Sequence, residues 1–371
     1  MHLTMQVKLL PAPEQSAALL ATMERFNAAC DAIAEVAHAN GCANKVELQK
    51  RVYHDIRERF GLSAQMTVRA IGKVVEVYKR DRRLLPRFRP HGAVPYDQRI
   101  LSWKGIDRVS VLTLGGREVM PWVAGAYQHA RLAFPRGQAD LVFRDGAFYL
   151  FVTVDVGDVP PGDHPSGWLG IDLGIANVAT DSDGDASAGD RLNGLRDRHA
   201  RLRKRLQKKG TKSALRLLSK RRRKERRFAA NENHRISKAI VRKARDTGRG
   251  VAVEDLTGIR GRMTVRREQR RAHHSWAFHQ LRAFLTYKAA LAGVPLVAVD
   301  PRHTSQACPE CGCVDRKNRP SRDRFQCVSC AFAGAADHIA ARNIASRGAA
   351  GWAAVMRPDA GPETALASLR L

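Results

Sequence analysis

Five of the seven cysteines of this 371-residue chain fall inside one stretch, CPECGCVDRKNRPSRDRFQCVSC. Two residues lie between Cys308 and Cys311, two between Cys327 and Cys330, and 15 between the pairs. That spacing lets two tight knuckles aim four thiolates at the corners of a tetrahedron, the geometry of a Zn²⁺ site. Four thiolates leave no open coordination position, so such a zinc supports the fold and does not activate water. Cys313 lies outside the knuckle geometry and reads as a bystander; Cys30 and Cys42 read as inert thiols. The intervening loop is basic (Arg316, Lys317, Arg319, Arg322, Arg324), and it either touches phosphate or is simply solvated.

Three acids stand where a chain rarely tolerates them. Asp172 interrupts the apolar run WLGIDLGI, Glu254 ends the apolar run VAVE, and Asp337 opens ADHIAARNIA. Carboxylates at such positions are costly unless they are paired or bind a cation. Taken singly, each is explained by a cap or a turn, and Asp337 by the ordinary preference for acids in a helix's first turn. Taken together, an acid on a first strand, an acid on a later strand and an acid on a C-terminal helix make the set that holds two Mg²⁺ in RNase H-like folds. Two such ions about 3.5–4 Å apart activate the attacking water and stabilise the leaving oxygen of a phosphodiester. Asp181, Asp183 and Asp185 begin like a calcium loop, but Ala186 and Leu192 occupy the places that need Gly and Glu, so this is a hairpin turn. Asp255 and Asp300 are accessory ligands or strand-end turn acids. His234, His273 and His274 lack metal partners at useful spacing and read as surface or phosphate contacts.

The elements that must position these groups follow from periodicity. LTMQVKLL alternates as a strand, Pro11 and Pro13 stop it, and helical patterns then cover the rest of residues 11–82. From Pro86 to Val159 the pattern is one of short strands, with a hairpin turn at Asp145-Gly146. PPGDHPSG, at 160–167, is rich in breakers and marks the main boundary. Beyond it, apolar strands at WLGIDLGI, RGVAVEDLTGI and VPLVAVD alternate with helical segments, among them SWAFHQLRAFLTYKAALAG, which is the pattern of an α/β sheet with insertions. The stretch after Arg347, with GAAGWAA and PDAGPE, reads as weakly structured or disordered.

Lys and Arg total 64 against 36 acids, a net charge of +28 that points to a polyanion, foremost nucleic acid. A preference for Arg codons explains the excess of Arg over Lys but not the excess over acids. From Arg196 to Phe228, 17 residues are basic and two, Asp197 and Glu225, are acidic. Arg201, Arg205, Lys208, Lys209, Arg221, Arg222 and Arg223 are candidates for contact with a nucleic-acid backbone. The N-terminus lacks the pattern of a secretory signal and no run of about 18 apolar residues occurs, so the expectation is a soluble, cytoplasmic chain.

The segments GIDLGIANVATDSDG, VAVEDLTGI, SWAFHQLRAFLTYKAALAGVPLVAVDPRHTSQACPECG and CVSCAFAGAADHIAARNI resemble, in order, the RuvC and zinc-ribbon segments of TnpB, the transposon-associated RNA-guided nuclease family ancestral to type V CRISPR effectors. His303 stands where family members often carry Tyr. The resemblance implies that Asp172, Glu254 and Asp337 are catalytic and bind two Mg²⁺ (or Mn²⁺), and that Cys308, Cys311, Cys327 and Cys330 bind one Zn²⁺. The fold class it implies is α/β plus β: a β-barrel-like wedge domain (1–10 and 83–160) interrupted by a helical recognition lobe (11–82), then an RNase H-like (RuvC) nuclease domain (166–305) with a basic helical insertion (about 190–245). A zinc ribbon (306–333) follows, inserted before the final RuvC helix (334–347), and 348–371 form a tail. The implied partners are a guide RNA and target DNA, bound by a monomer with one RNA in the prokaryotic cytoplasm, associated with the nucleoid. Two other functions fit the residues: an RNase H-like DNA transposase, which needs no guide, and a non-catalytic nucleic-acid-binding regulator, which would not need the acids.

Overall fold

The computed structural model describes residues 1–42, 44–81, 83–162, 164–256 and 278–355. The chain divides into two compact units, Met1–Gly157 and Asp158–Leu371.

In the first unit, β1 (His2–Leu9) alternates outward polar residues with Met5, Val7 and Leu9, which are buried. Three helices follow: α1 (Pro13–Ala39), α2 (Lys45–Phe60) and α3 (Ala64–Arg80). Local chemistry sets their ends. Pro13 opens α1, Asn44 and Ser63 accept backbone N–H groups at the starts of α2 and α3, and left-handed Gly61 closes α2. The strands β2 (Val94–Tyr96), β3 (Leu101–Lys104), β4 (Arg108–Thr113), β5 (Gly116–Val123), β6 (Arg136–Arg144) and β7 (Ala147–Asp155) then join β1 in a near-barrel sheet. Their order is β2-β6-β7-β1-β5-β4-β3, and every pairing is antiparallel. Asp145 and Gly146, both at positive φ, make the two-residue turn between β6 and β7. Strand β5 and the short α4 (Ala126–Leu132) were not apparent from the sequence. Pro121, a strand breaker by propensity, sits within β5 and contributes its carbonyl to the N–H of Leu10 at 2.9 Å.

The second unit is built on a five-stranded sheet of β8 (Trp168–Asp172), β9 (Asn177–Asp181), β10 (Ala186–Ala188), β11 (Gly250–Glu254) and β12 (Leu296–Val299). Its order is β10-β9-β8-β11-β12. The first three strands are antiparallel neighbours, and β11 runs parallel to both β8 and β12. Between β10 and β11 come α5 (Asp190–Lys209) and α6 (Lys212–Asp246), joined at left-handed Gly210 and the Thr211 cap. Helix α7 (Phe278–Ala292) precedes β12. A two-stranded ribbon of β13 (Arg324–Gln326) and β14 (Ala333–Ala335) leads into α8 (Ala336–Val355). Among the described residues no helix is long and apolar enough to cross a membrane.

Helix α8 corrects one expectation. GAAGWAA is helical, and α8 continues to Val355; residues 356–371 lie outside the described ones. Gly and Ala read as weak structure from the sequence, but here they permit a close tertiary contact. A Cβ on Gly170 of β8 would stand 2.0 Å from the carbonyl oxygen of Ala341 and 2.4 Å from the nitrogen of Ala345, and one on Gly348 would stand 2.5 Å from the Cβ of Ala252 in β11. Trp352 closes this contact against Trp168, ring centroids 5.6 Å apart. The helix therefore runs antiparallel to β8 with its backbone almost on the sheet.

Gly170→Ala has no flexible neighbour to displace, so it should cost about 3 kcal/mol or more, read as a large fall in the thermal midpoint. Gly194→Ala, in the second turn of α5 with open space around it, should instead stabilise by about 0.5–1 kcal/mol and raise the midpoint slightly. Equal effects of the two would contradict the close contact.

Candidate active site and zinc centre

Asp172 is the last residue of β8 and Glu254 the last of β11. The parallel register pairs Val253 with Ile171, so the two acids follow side by side at the C-terminal edge of the sheet. Gly170 and Ala252, two residues earlier on each strand, face α8, and by strand alternation Asp172 and Glu254 face the same side. Asp337 lies one helical turn before Ala341, in the first turn of α8. The antiparallel course of α8 over β8 carries it to the end of the strand where Asp172 stands. The three candidate acids, each brought by a different element, thus stand near enough for Glu254 and Asp337 to act electrostatically on Asp172, although among the described residues only the four cysteines bring three or more ligand atoms within 4.8 Å of one another.

Their electrostatics record that proximity. Burial, and then the charges of Glu254 and Asp337, push the carboxyl of Asp172 up to about 8, against the opposing pull of Arg319. Burial also raises Glu254, which is 8% exposed, while the Thr304 hydroxyl, Arg347 and Arg319 oppose that shift. The Thr304 hydroxyl donates to Oε1 of Glu254. Asp337 is held at both oxygens: Asn177 Nδ2 donates to Oδ2 at 3.0 Å, and Arg319 Nη2 to Oδ1 at 3.4 Å. The next residue, His338, donates from Nε2 to the carbonyl of Ser182 at 3.0 Å, which ties the start of α8 to the β9–β10 turn. Asn343 and Arg347 donate to carbonyls of the 300–307 loop, two each at 2.6–2.8 Å, and so fix the loop that carries Thr304.

Arg319, Asn177, Thr304 and His338 were not assigned to the site from sequence. The sequence marks only Arg319, as one cation of the basic loop between the cysteine pairs. It stands on Asp337, with its guanidinium also hooked to the Arg322 carbonyl at 2.8 Å. No spacing rule links these four residues to the acids, because their proximity comes from tertiary packing. Asp300 caps its own turn through the Arg302 N–H at 2.9 Å, and Asp255 pairs with Arg282. Asp181, Asp183 and Asp185 form a hairpin turn, as expected, and all three accept from Lys243 at 2.6–2.8 Å while Arg249 forks onto Asp183. His234 stacks on Phe284 with ring centroids 3.8 Å apart; His273 and His274 lie outside the described residues.

The four predicted cysteine ligands converge. Their Sγ atoms all lie within 4.8 Å of one another, with 3.6 Å between Cys308 and Cys330 and 3.5 Å between Cys311 and Cys327. A tetrahedral ion with Zn–S bonds of about 2.3 Å fits that cluster. The N–H groups of Ser329 and Cys330 point at Cys327 Sγ at 3.4 and 3.5 Å; with the Cys330 N–H as the largest cause, they hold this thiol down to about 6, which favours a metal-binding thiolate. Cys313 is not in the cluster. It contributes its carbonyl instead, to the Cys308 N–H at 2.9 Å and to Asn318 at 3.0 Å. Arg201, Arg205, Lys208 and Lys209 are exposed on α5, and Arg221, Arg222 and Arg223 on α6.

Comparison with known proteins converges on one group. Residues 278–344 match the family described as Cas12f1-like, TNB domain. A CRISPR-associated endodeoxyribonuclease Cas12f1 of Sulfoacidibacillus thermotolerans is 40% identical over 119 residues, 32% of this chain and 27% of that protein. The TnpB-like protein MJ0751 of Methanocaldococcus jannaschii is 30% identical over 42% of this chain and 56% of its own length. The chain therefore matches about a quarter and just over half of these two relatives. The putative RNA-guided DNA endonuclease InsQ of Escherichia coli K12 is 25% identical over 76% of this chain and 73% of its own. In fold, the chain is similar to the protein in a cryo-EM structure of a Cas12f1-sgRNA-target DNA complex, with a TM-score of 0.63 at 15% identity over 88% of this chain and 82% of the other.

The raised Asp172 sets the sign of a pH effect. Between the ordinary carboxylate range and about 8 the folded protein keeps a proton that the unfolded chain has lost, so stability falls as pH rises through that window. Without added divalent cation, the thermal midpoint of the unaltered chain should fall relative to that of Asp172→Asn, and the gap should be widest near pH 8. Parallel pH profiles would show that the acids are not crowded together. For the cysteines, elemental analysis should find zinc in the unaltered chain and in Cys313→Ser, and its loss in Cys308→Ser.

Proposed function

Because this chain belongs to the TnpB/Cas12f family, we propose that it is an RNA-guided DNA endonuclease that cleaves phosphodiester bonds at Asp172, Glu254 and Asp337. The observation that carries this reading is the convergence of three carboxylates, from β8, β11 and α8, at one edge of the sheet, where their mutual repulsion is only partly offset. The strand order β10-β9-β8-β11-β12, with an antiparallel half and a parallel half, supports assigning this unit to the RNase H-like, RuvC type.

A trio of oxygen donors with uncompensated charge suits hard divalent cations, and Asp172, Glu254 and Asp337 are the residues that would hold two Mg²⁺ or Mn²⁺. Held by these three carboxylates, such ions would supply activation of the attacking water and stabilisation of the leaving oxygen. The chain's own part is positioning. Thr304 orients Glu254, Asn177 and Arg319 orient Asp337, and the sheet edge fixes Asp172 beside Glu254. The four-thiolate zinc is structural: it folds the ribbon that delivers Arg319 and the start of α8.

Guide RNA pairing selects the target DNA, while the protein contributes backbone contacts, a check of a short adjacent DNA motif and the cutting site. The exposed cations Arg201, Arg205, Lys208, Lys209, Arg221, Arg222 and Arg223 belong to those backbone contacts. The first unit, with its helices inserted after β1, corresponds to the wedge domain and recognition lobe, and the protein acts as a monomer with one RNA in the prokaryotic cytoplasm.

Sequencing the RNA that co-purifies with the protein, then assaying cleavage of a matching DNA with Mg²⁺, tests the whole reading; absence of a defined RNA would remove the guide. Asp172→Ala, Glu254→Ala and Asp337→Ala should each reduce cleavage to background and leave nucleic-acid binding nearly intact. Near-normal cleavage by any one removes that residue from the site. Duplex binding should weaken with salt by a slope of about 0.9 in log K for each phosphate contacted, and a flat response would contradict the backbone contacts.

A further inference from the structure

The hairpin of α5 and α6 encloses an open-sided groove of about 750 Å³ that plays no part in the acid or zinc site. Its floor is apolar: Leu195 and Leu202 from α5, closed by the ring of His199. His199 is 6% exposed and its Nδ1 faces Glu225 at 3.3 Å, so the ring is fixed in place. The rim is cationic. Arg198, Arg201 and Arg205 line it from α5, and Arg221 and Lys224 from α6. Spacings of three and four residues from Leu195 through Arg198 and Leu202 to Arg205 put floor and rim along one face of α5.

Among the described residues none of these five cations is in an ion pair, and no carboxylate lines the groove. Glu225, at its edge, is already taken by His199 and by Arg203 at 3.4 Å. A surface that only neutralises duplex phosphates needs no cavity, and the exposed residues Lys208 and Lys209 present cations of that plain kind. A groove with an apolar floor and a positive rim matches a ligand with a flat, poorly solvated ring and an attached phosphate. Its volume falls within the range of about 300–1,000 Å³ that holds small ligands.

We propose that this groove is a binding site for an unpaired nucleotide, the base lying on Leu195, Leu202 and His199 and the flanking phosphates on Arg198, Arg201, Arg205, Arg221 and Lys224. The site rests on the nucleic-acid part of the reading above and deepens it: the hairpin selects single-stranded segments over paired ones. A base in a duplex is stacked and paired and cannot reach the floor.

The test uses the full, unaltered protein with two short probes, an RNA carrying 4-thiouridine and a DNA carrying 4-thiothymidine, photocrosslinked and mapped by mass spectrometry. Crosslinks from either probe to residues 195–205 or 221–224 support the site and identify the strand that fills it; crosslinks from neither overturn it. In parallel, Leu202→Gln should weaken binding of a single-stranded oligonucleotide about tenfold, near the lower end for one base contact, and leave a duplex of equal phosphate number almost unaffected. Equal losses on both, or none, overturn the proposal. Zinc content and thermal midpoint confirm that the variant is folded, and the crosslinks do not depend on it. A protein that cuts DNA normally without these crosslinks fails this inference alone, and one that crosslinks but never cuts fails the nuclease reading alone.

Discussion

A helix ordinarily rests on a sheet through its side chains, which keep the two backbones apart. In this chain Gly170 removes that spacer on β8, Ala341 and Ala345 minimise it on α8, and Gly348 meets Ala252 in the same way on β11. The rest of the second unit depends on this contact. With the backbones almost touching, the first turn of α8 drops to the level of the strand ends, where the charge of Asp337 acts on Asp172. A larger residue at any of these positions would lift the helix, and a carboxylate on a raised helix would no longer share a site with two on the sheet.

The same geometry concentrates negative charge, which the fold then manages from several sides. Asp172 rises to about 8 because burial and two neighbouring acids disfavour its charge. Arg319 comes from the ribbon, Arg347 from α8 and the Thr304 hydroxyl from the loop after β12, and together they offset part of the cost. The compensation is incomplete, for the Asp172 carboxyl stays raised despite the pull of Arg319. By contrast, the second acid cluster of this unit is saturated. Lys243 and Arg249 satisfy Asp181, Asp183 and Asp185, and Asp183 is held far below the usual carboxylate range by Arg249 and Lys243. That network is a brace. It fixes the β9–β10 turn, whose Ser182 carbonyl receives His338 beside Asp337.

The zinc ribbon acts at one remove. Its four thiolates organise a segment too short to fold on its own core, which consists of little more than Phe325, Ile339 and the cysteines themselves. What it exports is position: Arg319 on one side, and β14 running directly into α8 on the other.

The sequence by itself determined the pieces whose chemistry is local. Cysteine spacing specified the metal clip, apolar runs interrupted by acids marked Asp172 and Glu254, breakers at 160–167 marked a boundary near the division between units, and the Asp145-Gly146 pair marked a turn. Tertiary structure alone decided the rest. Pro121 concealed β5, because a strand can hold a proline where no N–H is needed, and the glycines of GAAGWAA concealed the end of α8, because glycine lowers intrinsic helix propensity while permitting the close contact that stabilises this helix. Asn177, Thr304, Arg319 and His338 carry no spacing signal at all. They lie 18 to 160 residues along the chain from the groups they hold, and only the folding of sheet, ribbon and helix onto one another brings them within hydrogen-bond distance.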